Sequence, residues 1–194
     1  PEMINKDSNL YRQHPDWILL TPVRTESHGR YQYVLDFSRR EIVDYFYTMI
    51  AKILSGAKIS YIKWDMNRSI TECYSIAYPA ERQGEIFHRY ILGVYDIYER
   101  LTSEFPKVLF ESCASGGGRF DPGMLYYAPQ GWTSDDSDAI ERLKIQYGTS
   151  MCYPISSMGS HVSVIPNHEV FRNTPLHTRA NAAGVGPVGY ELDL

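Results

Sequence analysis

Three charged side chains, Lys63, Asp65 and Arg68, arrive within six positions in the otherwise apolar stretch Tyr61-Ile62-Lys63-Trp64-Asp65-Met66-Asn67-Arg68. A strand core has no use for such groups unless they are paired or face a pocket. Lys63 and Asp65 stand two residues apart, so strand alternation turns both to one face. A carboxylate held ionised by a neighbouring cation can act as a nucleophile; on these eight residues alone, a structural ion pair is the equal alternative. A second acidic group, Asp135, Asp136 and Asp138, follows Trp132-Thr133-Ser134. Acidic residues at a helix start also serve as caps. One carboxylate suffices for that, and spacing leaves open which. Two carboxylates at different strand ends meet the needs of glycoside hydrolysis, which uses one as nucleophile or base and one as acid.

Between them, Ser112-Cys113-Ala114-Ser115-Gly116-Gly117-Gly118-Arg119-Phe120-Asp121 carries three consecutive glycines. Such a loop lets backbone N–H groups approach a ligand or takes positive φ. Neither the phosphate-loop nor the dinucleotide pattern fits it.

The elements that must position these residues alternate. Tyr33–Asp36 reads as a strand, and Ser38 with Glu41 as a capping box. A helix over about 39–55 follows, with Ile42, Tyr45, Phe46, Met49, Ile50 and Ile53 at helical spacing. Lys58–Asp65 is the next strand, 80–104 the next helix, and Lys107–Glu111 another strand after Pro106. A strand ending near Ser134 leads to a helix at about 138–150. Ser157–Val164 is a further strand, Asn173-Thr174-Pro175 starts a helix with proline in its first turn, and Pro187–Asp193 closes the chain as a strand. Strand–helix alternation means a parallel sheet with helical crossovers. Charge gathers at successive strand ends, as in a closed barrel, whereas a doubly wound sheet has one switch point. The reading is α/β: most of a (β/α)8 barrel, about six strand units, lacking its opening strands.

Composition narrows the function classes. A formal charge of −4 gives no support to nucleic-acid or anionic-membrane binding, and no apolar run approaches a membrane span. The 16 Tyr and 3 Trp suit carbohydrate surfaces as well as cores. Cys73, Cys113 and Cys152 match neither zinc spacing nor a disulfide framework and read as reduced thiols, hence a cytoplasmic protein. His14, His28, His88, His161, His168 and His177 lack ligand spacing, which disfavours a metal-dependent hydrolase. Arg24, Glu26, His28 and Arg30 read on composition as a solvated charged loop. The opening Pro1-Glu2-Met3 suggests a piece of something longer.

The three motifs, Tyr61 to Arg68, Phe110 to Asp121 and Trp132 to Arg142, together resemble family 36 glycoside hydrolases, the microbial α-galactosidases of the melibiase type. The likeness runs from Pro1 to Leu194. It implies a retaining α-galactosidase without metal or cofactor, acting on terminal α-galactosyl groups of oligosaccharides such as melibiose and raffinose. By this likeness Asp65 is the nucleophile and Asp135 the acid/base, with Asp136 the neighbour a one-residue shift would substitute. Galactose-binding positions fall on Arg30, Lys63, Asn67, Cys113, Gly116 and Trp132. The likeness further implies flanking β-domains and a homotetramer, and an isolated 1–194 barrel piece that is incomplete and inactive. A raffinose-synthase-type galactosyl transferase and a non-catalytic galactoside-binding module are the competing readings.

Overall fold

The computed structural model describes residues 1–192; residues 193 and 194, the end of the expected last strand, lie outside the described residues. The chain forms two compact units, Pro1–Leu109 and Phe110–Leu194.

In the first unit, β1 (Met3–Asn5), followed by the short helix α1 (Asn9–Gln13), pairs antiparallel with β2 (Gln32–Val34), Met3 opposite Val34 and Asn5 opposite Gln32. Tyr33–Asp36 is therefore no barrel strand. Its backbone donors are consumed by antiparallel neighbours: Leu35 N–H donates to Glu2 O at 2.9 Å and Asp36 N–H to Trp17 O at 2.7 Å. This removes one of the six expected parallel units. The Ser38 capping box is also absent. Helix α2 (Arg40–Gly56) has Arg39 as its cap, without a side-chain bond. Ser38 instead donates its hydroxyl to the buried Asp36, and Glu41 receives the Arg39 guanidinium at 2.7 Å. Burial pushes the Asp36 carboxyl up, against the pull of the Ser38 and Ser75 hydroxyls.

The apolar face of α2 is narrower than its periodicity suggests. Ile42, Val43 and Leu54 are buried, whereas Met49 and Ile53 are 44% and 56% exposed. Helix α3 (Ile86–Glu104), preceded by a 3-10 turn at Ala80–Glu85, buries Ile86, Tyr90, Val94, Ile97, Tyr98 and Leu101. A Cβ on Gly93 would lie 1.9 Å from the Phe37 carbonyl oxygen, so this glycine lets α3 close onto the chain entering α2. Strand β3 is shorter than expected, Tyr61–Asp65. Its Trp64 is buried, and the indole N–H donates to Glu2 at 2.7 Å. The other Glu2 oxygen accepts from the Tyr90 hydroxyl at 2.5 Å, which gives this buried carboxylate the donors it requires. Leu109, the first residue of strand β4 (Leu109–Cys113), donates its N–H to Ser60 O at 2.9 Å.

The second unit is built on parallel strands: β4 (Leu109–Cys113), β5 (Gln130–Trp132), β6 (Met158–Ser163) and β7 (Val188–Glu191). Glu111 stands opposite Gln130, Trp132 opposite Gly159, and Ser160 opposite Val188. Crossovers carry α4 (Pro122–Tyr127), α5 (Ala139–Ser150) and α6 (Leu176–Ala183). Helix α4 has six residues, too few to show periodicity in sequence. Pro175 is the N-cap of α6 and so precedes its first turn. Strand order, β3-β4-β5-β6-β7, follows chain order without reversal. The result is a five-stranded α/β sheet without a switch point, consistent with an incomplete barrel.

Candidate active site

The first unit brings together Arg30, Lys63, Asp65 and Asn67. Along β3 burial alternates: Lys63 is exposed, Trp64 buried and Asp65 half-buried. Lys63 and Asp65 thus share the face opposite Trp64, as alternation requires. Asp65 Oδ1 is buried and accepts no hydrogen bond among the described residues. Two residues on, Asn67 Oδ1 accepts from Arg30 Nη1 at 2.9 Å.

Arg30 reaches Asn67 from a tight turn. Gly29 N–H donates to Gln32 O at 3.2 Å, and Gln32 N–H returns to Gly29 O at 3.0 Å. The central residues Arg30 and Tyr31 have φ of 53° and 60°. Positive φ at both centres defines a primed hairpin turn, which favours Asn and Gly. For other L-residues it costs about 1–2 kcal/mol apiece.

Arg68 holds this turn in place. Its guanidinium donates to Ser27 O at 3.0 Å and Gln32 O at 2.9 Å, on either side of the turn, and to Thr71 Oγ1 at 2.6 Å. It also pairs with Glu72 at 3.4 Å, the Arg68 side chain being only 5% exposed. The third charge of the octapeptide is a clasp for the loop bearing Arg30. Burial pushes the Glu72 carboxyl up, but Ser27, Thr71 and the Arg68 charge together bring it below the usual glutamate range.

The second unit assembles Cys113, Gly116, Trp132 and Asp135. Cys113 ends β4 as a buried residue. Beyond it, Ser115 and Gly116 have φ of 48° and 80°. A Cβ on Gly116 would lie 2.8 Å from Asp135 N and 3.0 Å from Ser134 Cα; one on Gly117 would lie 2.4 Å from Thr133 O. These glycines therefore bring the loop against the backbone that carries Asp135, a role the sequence did not disclose.

The three acids after Ser134 divide their tasks. Asp138 caps α5, accepting from Ile140 and Glu141 N–H at 3.1 and 3.2 Å, and is bridged by Arg172. Asp136 Oδ1 accepts from Asp138 N–H at 3.0 Å, and Asp136 N–H donates to Ser134 Oγ at 3.1 Å, tying the turn. Asp135 Oδ1 accepts from Trp132 Nε1 at 3.1 Å. The Trp132 ring has His161 at 4.4 Å and the Arg142 guanidinium at 4.6 Å. Arg142 is buried and donates to Ser134 O at 3.1 Å and Gly159 O at 2.5 Å, fixing the ends of β5 and β6. Burial pushes its guanidinium down to about 10, against Asp136 and Glu191. Sequence reading missed Arg142, His161 and the task of Arg68. A lone arginine among Ile140, Leu143 and Ile145 was the available signal for Arg142.

Among the described residues no group of three or more His, Cys, Asp or Glu is placed to hold a metal, and no helix is long and apolar enough to cross a membrane.

The chain thus carries two carboxylates after different strands of a parallel α/β sheet, Asp65 with one oxygen that has no donor among the described residues and Asp135 held by an indole, and these are the residue types that glycoside hydrolysis uses. The Melibiase family model matches residues 1–194. The chain belongs to that family. It is 58% identical over 194 residues to the α-galactosidase AgaA of Geobacillus stearothermophilus, covering 100% of this chain and 27% of that protein. The α-galactosidase structure from Lactobacillus brevis superposes with a TM-score of 0.97 at 56% identity, covering 100% of this chain and 26% of that one. Two variants of AgaA, one in complex with raffinose and one with stachyose, each superpose with a TM-score of 0.96 at 58% identity, covering all of this chain and 27% of theirs. The chain spans about a quarter of the length of the relatives it matches.

Proposed function

We propose that residues 1–194 are the central part of the catalytic (β/α)8 barrel of a longer retaining α-galactosidase acting on raffinose-type oligosaccharides. The observation that carries this reading is Asp65 Oδ1: a buried carboxylate oxygen with no hydrogen-bond donor among the described residues, on the same strand face as Lys63. Burying such an oxygen without a partner costs about 1–3 kcal/mol or more, a penalty that marks the group as a candidate for chemistry.

The relatives' complexes support the assignment. The raffinose complex carries an aspartate-to-asparagine substitution and the stachyose complex an aspartate-to-alanine substitution; the interval between those two positions equals that from Asp65 to Asp135. Asp136 would be one residue too far along.

In this mechanism Asp65 attacks the anomeric carbon while Asp135 protonates the departing glycosidic oxygen, leaving a galactosyl ester on Asp65. Asp135 then takes a proton from water, which attacks the opposite face and releases galactose with its α configuration. Lys63, Asn67 and Arg30 are the sugar-binding residues of the first unit, and Cys113 and Gly116 those of the second. Trp132 orients Asp135 through its N–H. The test is a pair of variants in the full-length protein. Asp65→Ala should abolish turnover of every galactoside. Asp135→Ala should spare activated aryl galactosides far more than raffinose, and azide should restore its second step by forming a galactosyl azide. Azide rescue at Asp136→Ala instead would move the acid/base by one residue. Retained turnover in Asp65→Ala would overturn the reading.

A further inference from the structure

The tight turn bearing Arg30 also carries Tyr31, a residue that is 76% exposed. Tyr31 opens a row of rings along the first unit. Its centroid is 6.0 Å from His28, near-parallel at 26°; His28 meets Tyr33 edge-on at 5.9 Å; Tyr33 stacks on Tyr11 at 5.4 Å.

Packing does not account for Tyr31. A residue three-quarters exposed recovers little apolar burial, and tyrosine is a poor residue for φ of 60°. Asn or Gly at this second central position would fit the turn at lower cost. Backbone strain of this kind gathers where a side chain is needed in one place. What the strain achieves here is placement: it sets a flat, polar-tipped ring on the residue that follows the arginine bonded to Asn67, itself two residues beyond Asp65. Aromatic faces of this kind pack against the C–H faces of pyranose rings, while the hydroxyl stays in water.

We propose that Tyr31, backed by His28, is a binding platform for the hexose units that follow the terminal galactose in a neutral oligosaccharide. The inference rests on the α-galactosidase reading above: Arg30 serves the galactose end, and the next residue of the same turn serves the leaving group.

The experiment compares raffinose with α-galactosyl fluoride, which lacks a sugar leaving group, in the full-length protein and its Tyr31→Asn and Tyr31→Phe variants. Asn keeps the left-handed turn and deletes the ring; Phe keeps the ring. For Tyr31→Asn, the ratio of kcat/KM for raffinose to that for the fluoride should fall about three- to tenfold, the range of a single aromatic contact. The loss should sit in KM, Tyr31→Phe should recover most of the ratio, and the melting temperature of Tyr31→Asn should not fall. Tyr31→Gly serves in the same way if the asparagine variant folds poorly. An unchanged ratio in the ring-deleted variants overturns the proposal while leaving the galactosidase reading intact. So does a change in oligomeric state without a change in ratio, which would make the row a contact between copies of the chain. A wild-type protein that turns over neither substrate overturns the underlying reading, and the platform with it.

Discussion

Replacing Gly116 by alanine isolates the part that the glycine loop plays in placing Asp135. The backbone at Gly116 has φ of 80°, which costs an L-residue about 1–2 kcal/mol. The new methyl would stand 2.8 Å from Asp135 N and 3.0 Å from Ser134 Cα, well inside ordinary contact. Both obstacles are backbone, so no side-chain rotation relieves them; the Asp135 segment must back away by roughly half an ångström. A displacement of 1 Å at a reacting group can cost about a hundredfold, so half of that corresponds to about tenfold, or ~1.4 kcal/mol of barrier. With Asp135 proposed as the proton donor, the loss should depend on the leaving group. In the full-length protein, kcat for raffinose should fall about tenfold, that for a dinitrophenyl galactoside much less, and the melting temperature by a few degrees. An alanine variant with unchanged kcat on raffinose would show that the loop does not position Asp135. Equal losses on both substrates, expressed in KM, would show that Gly116 acts on galactose itself.

Arg68→Lys should release the Arg30 turn, since one ammonium cannot span Ser27 O, Gln32 O and Thr71 as the guanidinium does. We expect kcat/KM to fall about tenfold; the double variant with Arg30→Ala should be no worse than Arg30→Ala alone, and additive losses would refute the clasp. Glu72 gives this clasp an acid limit. Its folded-state value lies below the usual 4.5. Its contribution is therefore complete above that value and lost as pH falls below it. Glu72→Gln should remove this part of the acid sensitivity measured by thermal melts from pH 3 to 5; an unchanged slope would refute it.

The parallel sheet was legible because its strands are apolar runs emptying into charge; the α5 span needed little adjustment, while β3 and α3 begin later than expected. Tyr33–Asp36 misled because apolar, β-branched character marks a strand without saying what it pairs with; only β1 shows the pairing to be antiparallel. Ser38 misled because a hydroxyl near a helix start has two acceptable partners, and the buried Asp36 carboxylate outcompeted the helix amides. The two carboxylates proposed for catalysis were legible as residue types at strand ends. The support around it was not: Arg142 and Arg68 act through carbonyl oxygens, which leave no mark in a sequence. The separation of Asp135, Asp136 and Asp138 into three tasks needed the geometry of the turn, because adjacent carboxylates are chemically alike.

The central claim is that Asp65 forms a galactosyl ester that Asp135 helps water to break. Two displacements on one carbon restore the starting configuration, while a single water attack inverts it. Proton NMR of the first sugar released from raffinose by the full-length protein, read before mutarotation, measures this directly: α-galactose is the result expected of the Asp65–Asp135 pair, and β-galactose as the first product would contradict it.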